Sequence, residues 1–108
     1  MDTIAERRTG RRVPVIRDVS VELALPRISM RGKIFDLGAR GAFINVVVGL
    51  PAGSMIEVAF DLPSKEVVKV AASIRYVLPG LGMGVEFMEV GEAESRALER
   101  FIESYMKA

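Results

Sequence analysis

The stretch Phe35-Asp36-Leu37-Gly38-Ala39-Arg40-Gly41-Ala42-Phe43-Ile44 has apolar residues on both flanks and a polar, glycine-rich middle. That pattern predicts two strands joined by a tight turn. The middle reads Asp-x-Gly-x-x-Gly. Gly38 and Gly41 allow positive φ and let a ligand approach the backbone closely. Asp36, when ionised, offers only acceptors, and Arg40 offers a fork of donors. One turn therefore presents both polarities beside backbone amides. The same residues also suit an ordinary hairpin, because glycine-rich turns are common.

Outward from this turn the chain continues as strands. Residues 30–37 lead into it and residues 41–48 lead out, with Asn45 interrupting the second apolar run. Further upstream, Val13, Val15, Val19, Val21, Leu23 and Leu25 fall at odd positions. That is the period of a strand with one buried face. Pro14 lies near its start, where a missing N–H is tolerated. Arg17-Asp18 is expected to form a bulge or kink, and Pro26-Arg27-Ile28-Ser29 a hairpin connection. Downstream, Gly49-Leu50-Pro51-Ala52-Gly53-Ser54 is a loop by composition. In residues 55–62, Ile56, Val58, Phe60 and Leu62 alternate with polar residues. Residues 67–78 place Val68, Val70, Ala72, Ile74, Tyr76 and Leu78 on one expected core face. Pro79-Gly80-Leu81-Gly82 closes a further hairpin before Met83, Val85 and Phe87. Six short strands at regular spacing predict a mainly-β fold, a small six-stranded antiparallel β-barrel. No helix separates the strands, so no parallel crossover is required. Phe35, Phe43, Phe60 and Phe87 fit buried strand positions.

The ends of the chain differ in character. Residues 91–107 carry Ala97, Leu98, Phe101, Ile102, Tyr105 and Met106 on one helical face, predicting a C-terminal α-helix. The stripe suits core packing, with a dimer or partner face through Phe101 and Tyr105 as the alternative. Residues 1–12 read as a flexible basic arm ahead of a single domain spanning 13–108. Arg7, Arg8, Arg11 and Arg12 stand against Asp2 and Glu6, leaving +2 in the arm. The other eleven basic and twelve acidic side chains leave −1. Guanidinium forks pair with phosphate and stack on flat rings, so the clustered arginines suit an anionic, ring-bearing ligand. A solvated basic tail is the plainer reading.

Composition removes several function classes. The 108 residues make one domain with one modest core. The chain has neither cysteine nor histidine. Thiolate chemistry and Ser-His or Cys-His catalysis are therefore excluded, and a zinc site would need carboxylates alone. No metal, no cofactor and no enzymatic activity are expected. The net charge is +1 and there is no tryptophan. A single-stranded nucleic-acid binder, which stacks bases on exposed aromatics, is disfavoured. The N-terminal residues lack the apolar core of a signal peptide, and no run approaches a membrane span. A cytoplasmic location without membrane insertion is the expectation.

Arg8-x-x-x-Arg12, then a barrel-like strand, then Asp36-x-Gly38-x-x-Gly41 resembles the PilZ domain family, bacterial modules that bind the second messenger cyclic di-GMP. Leu50-Pro51-Ala52-Gly53 is similar to the family's loop before its middle strands, and Gly82-Met83-Gly84-Val85-Glu86-Phe87 to its last strand. The family's usual serine in the turn motif is Gly38 here. The resemblance implies a cyclic di-GMP sensor or effector linked to motility, exopolysaccharide and biofilm control. By position, Arg8 and Arg12 would contact phosphates and stack on guanine. Arg7 would reach a second, intercalated ligand molecule. Asp36 would accept from a guanine N–H edge or hold an arm arginine. Gly41 would supply a turn without a side chain, and Arg40 would be placed to touch a phosphate. Gly38 lacks a hydroxyl worth about 0.5–1.5 kcal/mol, so weakened rather than abolished binding is expected. Binding would order the arm, and output would pass in trans to an unidentified downstream protein. A monomer and a weak homodimer are both open. The alternative is a degenerate PilZ-like interaction module that does not bind the nucleotide.

Overall fold

The computed structural model describes residues 12–23, 27–46 and 50–107. Six strands form a closed antiparallel barrel in the order β1-β2-β3-β6-β5-β4. They are β1 (Arg12–Leu23), β2 (Ile28–Gly38), β3 (Gly41–Val46), β4 (Met55–Asp61), β5 (Val67–Leu78) and β6 (Gly82–Met88). A single helix, α1 (Glu92–Lys107), follows. The barrel and the C-terminal helix are those the spacing predicts. β1 begins one residue earlier than the expected arm boundary, so Arg12 belongs to the barrel. Arg7, Arg8, Arg11, the strand positions beyond Leu23 as far as Leu25, and residues 47–48 lie outside the described residues.

Closure leaves no sheet edge to cover and gives the alternating apolar residues one interior. Val19, Val21, Ile34, Leu37, Ile44, Val58, Val68, Ile74, Met83 and Val85 fill it, each almost wholly buried. Phe60 and Phe87 join them, as expected. In α1, Ala97, Leu98 and Ile102 are buried, Phe101 packs partly on the same core and Tyr105 is exposed. The helix rests on β5 and β1. Arg100 Nη2 donates to Glu66 Oε2 at 2.6 Å and ties it to the β4–β5 turn. Core packing is thus the main use of the stripe. Glu92 and Glu94 lie in the first turn, where the helix dipole favours carboxylates.

Three irregularities break the alternation. Between β1 and β2 the register shifts from Pro14↔Asp36 to Arg17↔Ile34, leaving Val15 and Ile16 against Phe35. The irregularity therefore precedes the expected Arg17-Asp18 site. Between β2 and β3 it shifts from Ile34↔Ile44 to Asp36↔Phe43, making Phe35 an unpaired extra residue. Between β5 and β6 it shifts from Ile74↔Val85 to Tyr76↔Gly84, and Arg75 is the extra residue. An extra residue in one strand changes which face its successors occupy. Phe35 is consequently 43% exposed, against the expectation of burial. Tyr76 and Leu78 likewise leave the core face, and Val77 packs on the core instead. The Tyr76 ring settles over Gly84, where an added Cβ would lie 2.3 Å from it, and faces Phe43 at 6.4 Å between ring centroids.

Candidate ligand site at the β2–β3 turn

The start of β1, the end of β2, the start of β3 and the end of β6 meet at one end of the barrel, through Arg12↔Gly38 and Gly41↔Glu86. Ala39 and Arg40 make the connection between β2 and β3. The bulge at Phe35 decides what this end displays. Before it, Ile34 points inward and Lys33 outward. Unbroken alternation would then send Asp36 inward and Leu37 outward. With the extra residue, Leu37 is fully buried and Asp36 reaches the surface. A buried, unpaired carboxylate is avoided, and an acceptor is delivered to the barrel exterior.

On that surface Arg12 Nη1 donates to Asp36 Oδ1 at 3.1 Å. The two residues are diagonal neighbours, since Arg12 stands opposite Gly38 and Pro14 opposite Asp36. Their side chains remain 38% and 39% exposed. Such a pair contributes little to stability, about 0–1 kcal/mol, and its members remain open to exchange with a ligand. Gly41 lies beneath the arginine. A Cβ there would meet the Val85 carbonyl oxygen at 2.4 Å and Arg12 Nη2 at 3.1 Å. Glycine at this position is needed for close approach, not for a left-handed backbone. The positive-φ glycines among the described residues are Gly53, Gly80 and Gly82. The positive φ that Gly38 and Gly41 allow is not used, because a bend through Ala39-Arg40 completes the turn without it.

The structure brings together Arg12, Asp36, Gly38 and Gly41. Arg40 is on the same turn with its side chain exposed, while its carbonyl accepts from the Phe87 N–H at 2.8 Å. Arg7 and Arg8 fall outside the described residues. Sequence reasoning missed Arg75 and Glu86, which pair at 3.1 Å across β5–β6 beside Gly41. They face each other across the β5–β6 hairpin, eleven residues apart with no motif to mark them, and only the β3–β6 pairing brings them beside Gly41. Among the described residues no group of three or more potential metal ligands occurs, and no helix is long and apolar enough to cross a membrane.

The family model described as "PilZ domain" matches residues 6–104. The chain belongs to the PilZ domain family. Its PilZ fold is shared with several solved structures. The Bacillus subtilis inhibitor of motility MotI/DgrA is 18% identical with a TM-score of 0.74, covering 89% of this chain and 49% of that one. YcgR from Escherichia coli, solved in complex with c-di-GMP, is 17% identical with a TM-score of 0.75, covering 90% of this chain and 45% of that one. The PilZ domain of CeSA from a cellulose-synthesizing bacterium is 19% identical with a TM-score of 0.69, covering 92% of this chain and all (100%) of that one. The chain thus spans about half the length of MotI/DgrA and YcgR. No curated protein matches it significantly.

Proposed function

We propose that this PilZ domain is a cyclic di-GMP receptor that performs no reaction and signals to a partner protein. The observation that carries the reading is the exposed Arg12–Asp36 pair, 3.1 Å apart over the bare backbone of Gly41. It is a donor fork beside an acceptor, both partly exposed. YcgR, which shares the fold, was solved with that nucleotide bound.

In this reading Arg12 binds a phosphate and stacks on a guanine, and Asp36 accepts from a guanine N–H or keeps Arg12 oriented. Arg8, four residues before Arg12, lies within ~14 Å of it along the chain, and closes on the ligand from the arm side. Arg7 serves a second ligand molecule, and Arg40 adds a donor from the turn. Ordering the arm costs entropy, which the charge-assisted contacts must offset. The ordered arm then offers a changed surface to a downstream protein, with motility control suggested by the likeness to MotI/DgrA.

The test is calorimetric titration with cyclic di-GMP of the wild-type chain, Arg8→Ala and Arg12→Ala. Saturable binding, weakened about ten- to a hundredfold or more in each variant, is expected. A ratio of two nucleotides per chain would bring Arg7 into the site. Absence of heat and of competition against labelled nucleotide would leave the interaction-module reading in its place.

A further inference from the structure

The surface beside the turn motif holds a second guanidinium that the motif does not contain. Glu86 stands directly opposite Gly41 in the β3–β6 ladder. The space left by the missing Gly41 side chain is bounded by Arg12 Nη2 at 3.1 Å and Glu86 Cα at 3.5 Å. On the far side of Glu86, Arg75 Nη1 donates to Glu86 Oε1 at 3.1 Å. Across the outside of the barrel the charges therefore run Asp36, Arg12, Glu86, Arg75, alternating in sign.

Arg75 owes its position to the β5 bulge, where it is the extra residue. Bulges commonly re-aim a side chain near a functional site. The pair it forms is 63% and 41% exposed, a poor device for stability. Its geometry is better suited to exchange. A phosphodiester offers guanidinium the same bidentate pair of oxygens, and the same single negative charge, as a carboxylate.

We infer that Arg75 is a second phosphate clamp of the nucleotide site, held ready by Glu86 and transferred from that carboxylate to the ligand on binding. The inference rests on the cyclic di-GMP reading and extends it. A ligand with two phosphates can engage Arg12 on one side of Gly41 and Arg75 on the other. Glu86 orients Arg75 in the free protein and competes for it in the complex. The two members of one ion pair thus act on affinity with opposite signs.

The experiment is titration of cyclic di-GMP into the wild-type chain, Arg75→Ala, Arg75→Lys, Glu86→Gln and Arg96→Ala, with a thermal melt of each. Arg96 lies on the exposed side of α1 and pairs with Glu92, so Arg96→Ala removes one positive charge away from the site. Arg75→Ala should weaken binding about tenfold or more, and Arg75→Lys by less, since lysine keeps the charge without the fork. Glu86→Gln should tighten binding several-fold by releasing the guanidinium. Arg96→Ala should bind as wild type. Wild-type binding with Arg75→Ala within twofold of it would overturn the inference alone. So would affinity losses of the same sign in Arg75→Ala and Glu86→Gln, the mark of a mere strut. No binding by the wild-type chain would overturn the receptor reading and this inference together.

Discussion

β4 and β2 flank β1 on its two sides, and they treat their aromatic residues in opposite ways. In β4 the alternation is unbroken. Ile56, Val58 and Phe60 are buried, Met55, Glu57 and Asp61 are exposed, and Phe60 keeps 4% of its surface. In β2 the alternation holds through Ile34 and then slips at Phe35, which keeps 43%. The gain from that slip is Asp36 on the surface and Leu37 in the core. A strand that keeps its period builds the interior; a strand that breaks it displays chemistry. β5 repeats the lesson within one element, regular from Val68 to Ile74 and then slipping at Arg75.

The contrast can be broken by substitution. Phe60→Ala should cost about 3–5 kcal/mol, the usual penalty for a large core aromatic. Phe35→Ala should stay within about 0.5 kcal/mol, as for a surface position. Urea midpoints of the two variants decide it, and equal losses would mean that Phe35 is a core residue after all. Gly41→Ala comes next. Its Cβ would press on the Val85 carbonyl, a backbone atom that cannot yield cheaply, so a loss of about 1–3 kcal/mol is expected from overpacking. The same methyl crowds Arg12, so nucleotide affinity should fall with it.

Asp36→Ala sharpens the distinction between display and support. Melting should move little, because an exposed pair contributes about 0–1 kcal/mol. Cyclic di-GMP affinity should fall about tenfold or more through loss of one charge-assisted contact. A variant that melts early and binds normally would reverse the assignment. The smallest expected effect lies at Asp18 on the outer face. Its pKa is held below the ordinary aspartate value by a hydrogen bond from Lys33 and by that residue's charge. A carboxylate with a lowered folded pKa stabilises above its unfolded pKa and loses that contribution as pH falls through the folded one. Denaturation followed below about pH 4, the ordinary carboxylate range, should show a slightly shallower acid loss in Lys33→Met than in the wild-type chain.

Much of this was legible in the residues themselves. Turn chemistry at Pro79-Gly80 and alternation in β4 are local signals, and they place those elements without reference to the remainder of the chain. The Arg8-x-x-x-Arg12 and Asp36-x-Gly38-x-x-Gly41 spacings are also local, so the family could be read from them before any geometry. Phe35 and Tyr76 were placed on the wrong face because periodicity assumes that no residue is inserted. Whether one is inserted depends on the register within the β2–β3 and β5–β6 hairpins, which alternation along a single strand does not reveal. Of the two uses that glycine allows at position 41, positive φ and close approach, only the second is made, against the Val85 carbonyl and Arg12.

Alternation and turn residues thus specified six strands, a barrel and a helix, because those preferences act over a few neighbouring residues. The register of the paired strands decided where the period slips and which carboxylate meets Arg12, and the β3–β6 pairing set Arg75 and Glu86 beside Gly41. Those contacts join residues 24 and 11 positions apart, and such pairings arise from the register of whole strands rather than from any short run of sequence.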